Sequence, residues 1–295
     1  MGRILSRAGD QSRRDEHTLS DKDFRYICKF VYDATGIVLD ERKREMVYRR
    51  LMRRTRETRL PSFKEYLNFL NSNPEESPKF INAITTNLTS FFRENHHFEF
   101  LKSTVLPELL AQSQQRRLRI WSAGCSTGEE PYSIAITLKE AMGNRLNSWD
   151  AKILATDLDS DVVATGKAGI YKAERIDGLD TKMIKRWFKK NPQNGRVKTA
   201  TELGELITFK QLNLLEPWPM KGPFDIIFCR NVVIYFDKPT QQSLFQHYYD
   251  MLKPGGYLII GHSEGLGEMQ EKFTAMGKTI FQKIDPLSGS LSNDS

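Results

Sequence analysis

The sequence has little with which to build a cross-linked or metal-bound protein. Its 295 residues include three cysteines, Cys28, Cys125 and Cys229. They are odd in number, far apart and without metal-ligand spacing, which disfavours both a disulfide framework and a zinc site. No apolar run approaches the roughly 18 residues of a membrane span. The stretch MGRILSRAGDQSRRDEH lacks the hydrophobic segment of a secretory signal. Gly2 and Ser6 do satisfy the loose Met-Gly-x-x-x-Ser acylation pattern, but so short a pattern matches often by chance. No internal repeat is visible. Mean hydropathy is −0.51, and 39% hydrophobic with 11% aromatic residues suffices for a buried core. The expected location is the cytoplasm.

Positive charge is present in excess and is concentrated. Between Arg42 and Arg59 lie nine basic residues and two acidic ones, an excess of seven that equals the net +7 of the whole chain. Val47, Tyr48, Leu51 and Met52 recur there at helical spacing and predict an inward apolar stripe. Arg49, Arg53 and Arg56, with Arg50 and Arg54 beside them, then cover the outer face. Such a face is either a solvated surface whose long stems cover apolar area or a docking surface for an acidic partner. The charge run alone does not choose between them.

Residues 1–17 read as a disordered tail and 286–295 as another. From residue 18 to 90 the pattern is helical throughout. Ser20 with Asp23 makes a capping-box-like start, and Phe24, Ile27, Cys28 and Val31 follow at helical spacing. Further helices open near Ser62 and run through Phe80, Ile81, Ile84 and Leu88. From residue 91 to 285 strand-like runs alternate with helices: LRIW, KILATD, FDIIFC, GYLIIG and KTIFQKI. That alternation predicts parallel βαβ units and a doubly wound α/β sheet. Residues 191–209, punctuated by Asn194-Gly195 and Leu203-Gly204, predict a small β-hairpin insertion.

In such a sheet, ligands bind beyond the carboxyl ends of the strands. The first end, IWSAGCSTGEEPYS, is a small-residue loop containing Gly124. It is not G-x-G-x-x-G, and Glu129-Glu130 would repel a pyrophosphate while suiting a cationic ligand. The second, LATDLDSD, places Asp157 and Asp159 at a strand tip, where a carboxylate can take both ribose hydroxyls; a plain turn with Ser160 or Asp161 as helix cap is the structural alternative. The third places Asn213 where its side chain could read an adenine edge. The fourth, DIIFCRNVVIYF, sets Arg230, Asn231 and Tyr235 in otherwise apolar sequence, where buried polar groups need partners. The fifth, LKPGGYLIIGHSE, ends at His262. A strand-tip acid between a small-residue loop and LKPGG favours an S-adenosylmethionine site over a nicotinamide site. Ahead of the first strand lies NLTSFFRENHHF. Its Arg93, set beside two aromatics, can fork onto a carboxylate. His96 and His97 read as structural, because helix neighbours point about 100° apart.

Together NLTSFFRENHHF, SAGCSTGEEPYSIA, ATDLD, FCRNVVIYFD and LKPGGYLIIGHSE resemble the chemotaxis receptor methyltransferases, the CheR family. The resemblance runs in register from about Leu19 to Ile284. It implies an all-helical N-terminal domain followed by a Rossmann-like methyltransferase domain with a small β-hairpin subdomain. It also implies transfer of the S-adenosylmethionine methyl group to glutamate side chains on the cytoplasmic helices of chemoreceptors, as part of sensory signal transduction. Carried over by residue, Asn87, Thr89 and Arg93 would border the cofactor, Gly124 and Glu130 would lie near its amino-acid end, Asp157 would hold the ribose, and Asn213 and Leu214 the adenine. Arg230 and Asn231 would complete the pocket, with Arg93 and Tyr235 nearest the reacting groups. The basic helix (Arg49, Arg50, Arg53, Arg54, Arg56) would face the receptor. Relatives that tether to a receptor's C-terminal pentapeptide carry a glycine-bearing hairpin insertion that FKKNPQNGRVK lacks, so no tether is expected.

A glutamate with an ordinary pKa near 4.3 is already an anion at pH 7. That agrees with the absence of a convincing general base; His262 is present without an assigned task. Two rival readings stand beside this one. A nucleic-acid methyltransferase could use the basic helix on phosphate, but the chain has no Asn/Asp-Pro-Pro-Tyr/Phe motif. A non-catalytic cofactor-binding regulator would not require Arg93 and Tyr235.

Overall fold

A computed structural model describes residues 19–112 and 115–285. The two tails, with Gly2 and Ser6, lie outside the described residues. The chain divides into two compact units between Thr86 and Asn87, and no described helix is long and apolar enough to cross a membrane.

Among the described residues, the first unit has four α-helices: α1 (Asp21–Thr35), α2 (Arg44–Glu57), α3 (Phe63–Ser72) and α4 (Glu76–Ile84). Local chemistry sets their ends. The Ser20 hydroxyl accepts from the Asp23 N–H at 3.1 Å, and Gly36 closes α1 at φ 70°. Ser62 caps α3 in the same way through the Glu65 N–H, at 3.2 Å. Phe24, Ile27, Val31, Val47, Leu51, Phe63, Tyr66, Leu70 and Phe80 form the core. Of the expected α2 stripe, Val47 and Leu51 are buried, whereas Tyr48 and Met52 are only half-buried and Thr55 is buried with them.

The basic face of α2 is not a single face, which corrects the expectation for two of its arginines. Arg50 turns inward and donates to the carbonyls of Ile84 and Thr85, closing the C-terminal end of α4. Arg54 forks onto the buried Glu76 carboxylate at 2.5 and 2.7 Å, where Tyr66 also donates at 3.0 Å. Arg49, Arg53 and Arg56 remain outward. Helix ends and buried carboxylates must be satisfied, and the long stems of Arg50 and Arg54 reach both.

In the second unit, α5 (His96–Phe100) and α6 (Leu106–Gln112) precede a seven-stranded sheet. Its strands are β1 (Arg117–Ala123), β2 (Asp150–Asp157), β6 (Ile207–Gln211), β7 (Phe224–Cys229), β8 (Leu252–Ile260), β9 (Phe273–Gly277) and β10 (Ile280–Lys283), in spatial order β6-β2-β1-β7-β8-β10-β9. The first five pair in parallel, and β10 runs antiparallel to both β8 and β9. The order reverses between β1 and β7, which places the crevice for a ligand at their carboxyl ends. The central strands are buried on both faces. Ile120, Ile226 and Phe228 pack in one core with Ile134 and Leu138 of α7 (Glu129–Met142), while Trp121, Ile227 and Cys229 pack in the other. That second core includes Leu244, Phe245 and Tyr248 of a later helix, Lys238–Met251. Apolar runs without alternation follow from that double burial.

The hairpin differs from its expected limits. Asn194-Gly195 does turn the chain, with Gly195 at φ 62°, but the hairpin joins β4 (Phe188–Asn191) to β5 (Arg196–Thr199). With β3 (Ile170–Lys172) they make a separate three-stranded sheet. Leu203-Gly204 ends a short helical turn, and Ile207–Gln211 leaves the hairpin to pair with β2, Ile207 opposite Ile153. Its apolar alternation is satisfied by the larger sheet.

Replacing Arg54 by Ala strands the Glu76 carboxylate and should lower stability by about 3 kcal/mol in urea unfolding. Arg53→Ala, on the exposed face, should change it by no more than about 0.5 kcal/mol. Burial pushes the Glu76 carboxyl up, but hydrogen bonds from Arg54 and Tyr66 outweigh it and leave it below its ordinary value. A lowered carboxyl adds stability above its unfolded pKa and loses it as pH falls through the folded one. The gap between wild type and Arg54→Ala should therefore close in acid; a gap independent of pH would count against this pairing.

Candidate cofactor site at the strand ends

The β1 end is closed by a loop that tolerates only small residues. Gly124 and Cys125 donate their N–H groups to the Thr156 carbonyl at 2.8 and 2.9 Å, stapling the loop to the end of β2. Gly124 has φ +81°, and a Cβ there would lie 2.3 Å from Val232 Cγ2. Gly128 has φ +99°, and its Cβ would meet the Gly166 backbone at 2.8 Å. Side chains at either position would push the loops after β1 and β7, or α7 and its neighbour α8 (Ser160–Ala168), apart.

Asp157 sits at the tip of β2. One oxygen accepts from the Ser126 N–H at 2.8 Å and the other from the Asp159 N–H at 3.0 Å. Burial pushes its carboxyl up to about 6, against those backbone hydrogen bonds. Each oxygen keeps lone-pair capacity for a further donor. The two strand-tip acids divide their work. Asp159, rather than Ser160 or Asp161, caps α8 through the Asp161 and Val162 N–H groups and accepts from the Asn87 amide at 2.8 Å. The carbonyl of Asn87 accepts from Ser126 Oγ at 3.0 Å. The Leu212 N–H donates to the Asp157 carbonyl at 2.9 Å, which sets Asn213 and Leu214 beside it. Asn213 folds into its own turn, accepting from the Leu215 N–H at 3.1 Å, and the Leu214 carbonyl takes the Trp218 indole N–H at 3.1 Å.

The paired glutamates of the first loop do not face a ligand as free charges. Glu129 is fully buried and is met by Arg175 and by the Thr127 hydroxyl at 2.6 Å. Arg175 also donates to the Thr89 carbonyl at 2.9 Å. It lies outside every motif considered above, and only its fold partner reveals it. Glu130 accepts from Ser122 at 2.7 Å and from Arg230 at 3.0 Å. Burial pushes its carboxyl up, with Arg230 pulling it back.

Arg230 is the hub of the β7 end. Its side chain, 2% exposed, bridges Glu130 and Glu94, the latter at 3.3 Å, and donates to the Arg93 carbonyl. It therefore holds the pocket from behind rather than lining it with a free guanidinium. Phe92 and Glu94 flank Arg93 at φ 54° and 56°, strained conformations that persist only when surrounding contacts impose them. Arg93 is anchored through its own side chain to the Leu88 carbonyl at 2.9 Å. Of the two aromatics preceding it, Phe91 packs on Tyr171 and Phe188, and Phe92 on Phe98.

His262 meets Glu94 at 3.1 Å. His96 and His97 come closer than helix geometry suggested, with ring centroids 4.1 Å apart. With Glu94 they bring ligand-type atoms within 4.8 Å of one another, although Arg230 already supplies the positive charge there. Burial, then Arg230, push the His97 imidazole down to about 4. Asn231 takes φ 58° and Tyr235 ends the short turn Val233–Tyr235, half-buried.

The donor set suits S-adenosylmethionine. Asp157 offers acceptors for a diol, the loop at Gly124 admits close backbone approach, and Arg93, Asn231 and Tyr235 sit at the adjoining strand end. The comparisons agree. Residues 87–282 match "CheR methyltransferase, SAM binding domain" and residues 22–85 match "CheR methyltransferase, all-alpha domain". The chain is 44% identical over 271 residues to a chemotaxis protein methyltransferase of Salmonella typhimurium, covering 89% of this chain and 90% of that one. An Escherichia coli protein of the same name is 44% identical over 271 residues (89% and 91%). Chemotaxis protein methyltransferase 2 of Pseudomonas aeruginosa is 44% identical over 265 residues (88% and 92%). With its two units matched in order and the strand-end loops in place, the chain belongs to the CheR family of S-adenosylmethionine-dependent methyltransferases.

Proposed function

We propose that the protein is a protein-glutamate O-methyltransferase that esterifies glutamate side chains on the cytoplasmic helices of chemoreceptors, and so acts in the cytoplasm. The observation that carries this reading is the conjunction, in a CheR-family chain, of the Asp157 carboxylate at the β2 tip with Arg93 and Tyr235 near the switch point. Bound S-adenosylmethionine supplies an electrophilic methyl group. Asp157 would hold the ribose, Asn87, Thr89 and Arg93 would border the cofactor, and Asn213 and Leu214 would take the adenine, while Gly124 and Asn231 would lie near the amino-acid end, braced from behind by the Glu130–Arg230 pair.

The chain's own task is positioning and drying. A receptor glutamate arrives ionised and needs no base. Accordingly, His262 is occupied with Glu94, and His97 is kept neutral and buried. Arg93, pinned at its carbonyl by Arg230 and at its guanidinium by Leu88, would orient the incoming carboxylate together with the Tyr235 hydroxyl. A tightly paired carboxylate is a poorer nucleophile, so Arg93 must steer it without burying it in a salt bridge.

Arg49, Arg53 and Arg56 on the outer face of α2 suit the carboxylate-rich receptor bundle by charge. The compact turn between β4 and β5 favours a protein that works without the receptor's C-terminal pentapeptide.

Four expectations follow from this reading. Tyr235→Phe should lower receptor methylation at least tenfold while leaving the affinity for S-adenosylhomocysteine, measured by calorimetry, within about twofold; unchanged turnover removes Tyr235 from the reaction. Because ribose hydroxyls donate to an ionised carboxylate, that affinity should be constant above pH 7 and weaken as pH falls through about 6. Asp157→Asn should be weaker throughout and lose the pH dependence. Finally, Arg49→Glu with Arg53→Glu and Arg56→Glu should slow methylation of a receptor signalling domain several-fold without altering cofactor affinity. Removing the receptor's last five residues should leave the wild-type rate unchanged, and a large loss there would refute the tether-free reading.

A further inference from the structure

The end of β8 contributes a buried carboxylate that none of the steps above uses. The chain leaves β8 through Gly261, His262 and Ser263, and the Glu264 N–H turns back to the Gly261 carbonyl at 3.0 Å. The Glu264 side chain, 9% exposed, folds inward. Its Oε2 accepts the Gly261 N–H at 2.6 Å and the Asn231 N–H at 3.0 Å. The N–H groups of Val232 and Ile234 add to the field at the same carboxylate.

Asn231 is in the left-handed region at φ 58°, and the residues after it open the short helical turn Val233–Tyr235. The first N–H groups of a helical turn lack intrahelical acceptors. A side-chain oxygen usually supplies the cap from the preceding residue. Here the oxygen comes from beyond the end of another strand, 33 residues further along the chain: it takes the Asn231 N–H, two residues ahead of the turn, and faces the Val232 and Ile234 N–H groups. The fit leaves no slack. A Cβ on Gly261 would lie 2.5 Å from the Asn231 amide, 2.8 Å from its backbone N and 2.9 Å from Glu264 Oε2. On its other side the same segment is limited by Val232 against Gly124.

We propose that Glu264 is a positioning residue: its carboxylate caps the turn after β7 from the end of β8 and thereby sets the backbone that carries Asn231 and Tyr235. It acts through that backbone and touches no substrate. Hydrogen bonds to a carboxylate are shorter and stronger than those between neutral groups, which suits the task of holding a residue at positive φ. Burial holds the Glu264 carboxyl above its ordinary value, with the backbone donors pulling it part of the way back.

The proposal rests on the assignment of Tyr235 to the reaction, and the test separates the two. Glu264→Ala and Glu264→Gln are made in wild-type and Tyr235→Phe backgrounds, and kcat, KM for the receptor and S-adenosylhomocysteine affinity are measured. Amide hydrogen exchange of residues 231–235 is followed by mass spectrometry in the same proteins. Glu264→Ala should lower kcat at least tenfold in the wild-type background and less than about threefold when Tyr235 is already Phe. Glu264→Gln, which keeps one acceptor oxygen, should recover part of the loss. Exchange of residues 231–235 should accelerate in both variants. Equal losses in the two backgrounds, or unchanged exchange, would overturn the proposal. If Glu264→Ala does not fold, the Gln variant runs the same cycle. Should Tyr235→Phe alone leave kcat intact, the role of Tyr235 fails, while hydrogen exchange still decides whether Glu264 holds the turn.

Discussion

The Arg230 guanidinium, buried between the carboxylates of Glu130 and Glu94 and the Arg93 carbonyl, is the constraint on which the rest of the site depends. An arginine taken out of water is costly unless its partners are close and well directed. The partners belong to two other pieces of chain. Glu130 opens α7 after the β1 loop, and Glu94 and Arg93 lie in the segment before α5. Satisfying one buried charge therefore draws three loops to the same place and fixes Arg93 between two residues of positive φ. The glutamates that looked like a lure for a cationic ligand are, in the fold, mostly the means by which the chain assembles its own pocket.

The neighbouring contacts follow the same economy. Asp159 is spent on capping α8 and on Asn87, which leaves Asp157 as the strand-tip carboxylate with acceptor capacity to spare. Gly124 lets the β1 loop lie directly on Val232, and Glu264 holds the other side of that β7 segment. The loops that face the crevice are thus braced from behind by buried hydrogen bonds, as a site that works by positioning requires. In the proposed reaction no general base is needed, because a carboxylate nucleophile arrives ionised.

In the helical unit the arginines of α2 separate by function along one helix. Arg50 and Arg54 complete the unit's interior, at the end of α4 and on Glu76, while Arg49, Arg53 and Arg56 stay exposed. A dense basic run can therefore stabilise its own fold and present charge to a partner at once. Composition counts both kinds of arginine alike.

Much of this protein can be read in its residues before any coordinates. The alternation of apolar runs with helical periods prescribes a doubly wound sheet because parallel strands are buried on both faces. Ser20 and Ser62 mark helix starts because their hydroxyls find N–H groups three residues on. The loops at Gly124, Asp157, Asn213 and Arg230 fall at strand ends because local hydrophobicity stops there. The tertiary structure alone decided which polar groups are consumed and which remain for a ligand. That Arg175 would neutralise Glu129, that Arg50 would turn inward, that Ile207–Gln211 would leave the hairpin for β2, and that Glu264 would reach Asn231 are all pairings across 33 to 54 residues of chain. Local periodicity carries no information about such partners. They are selected when packing removes water and each buried donor or charge must find an acceptor within reach.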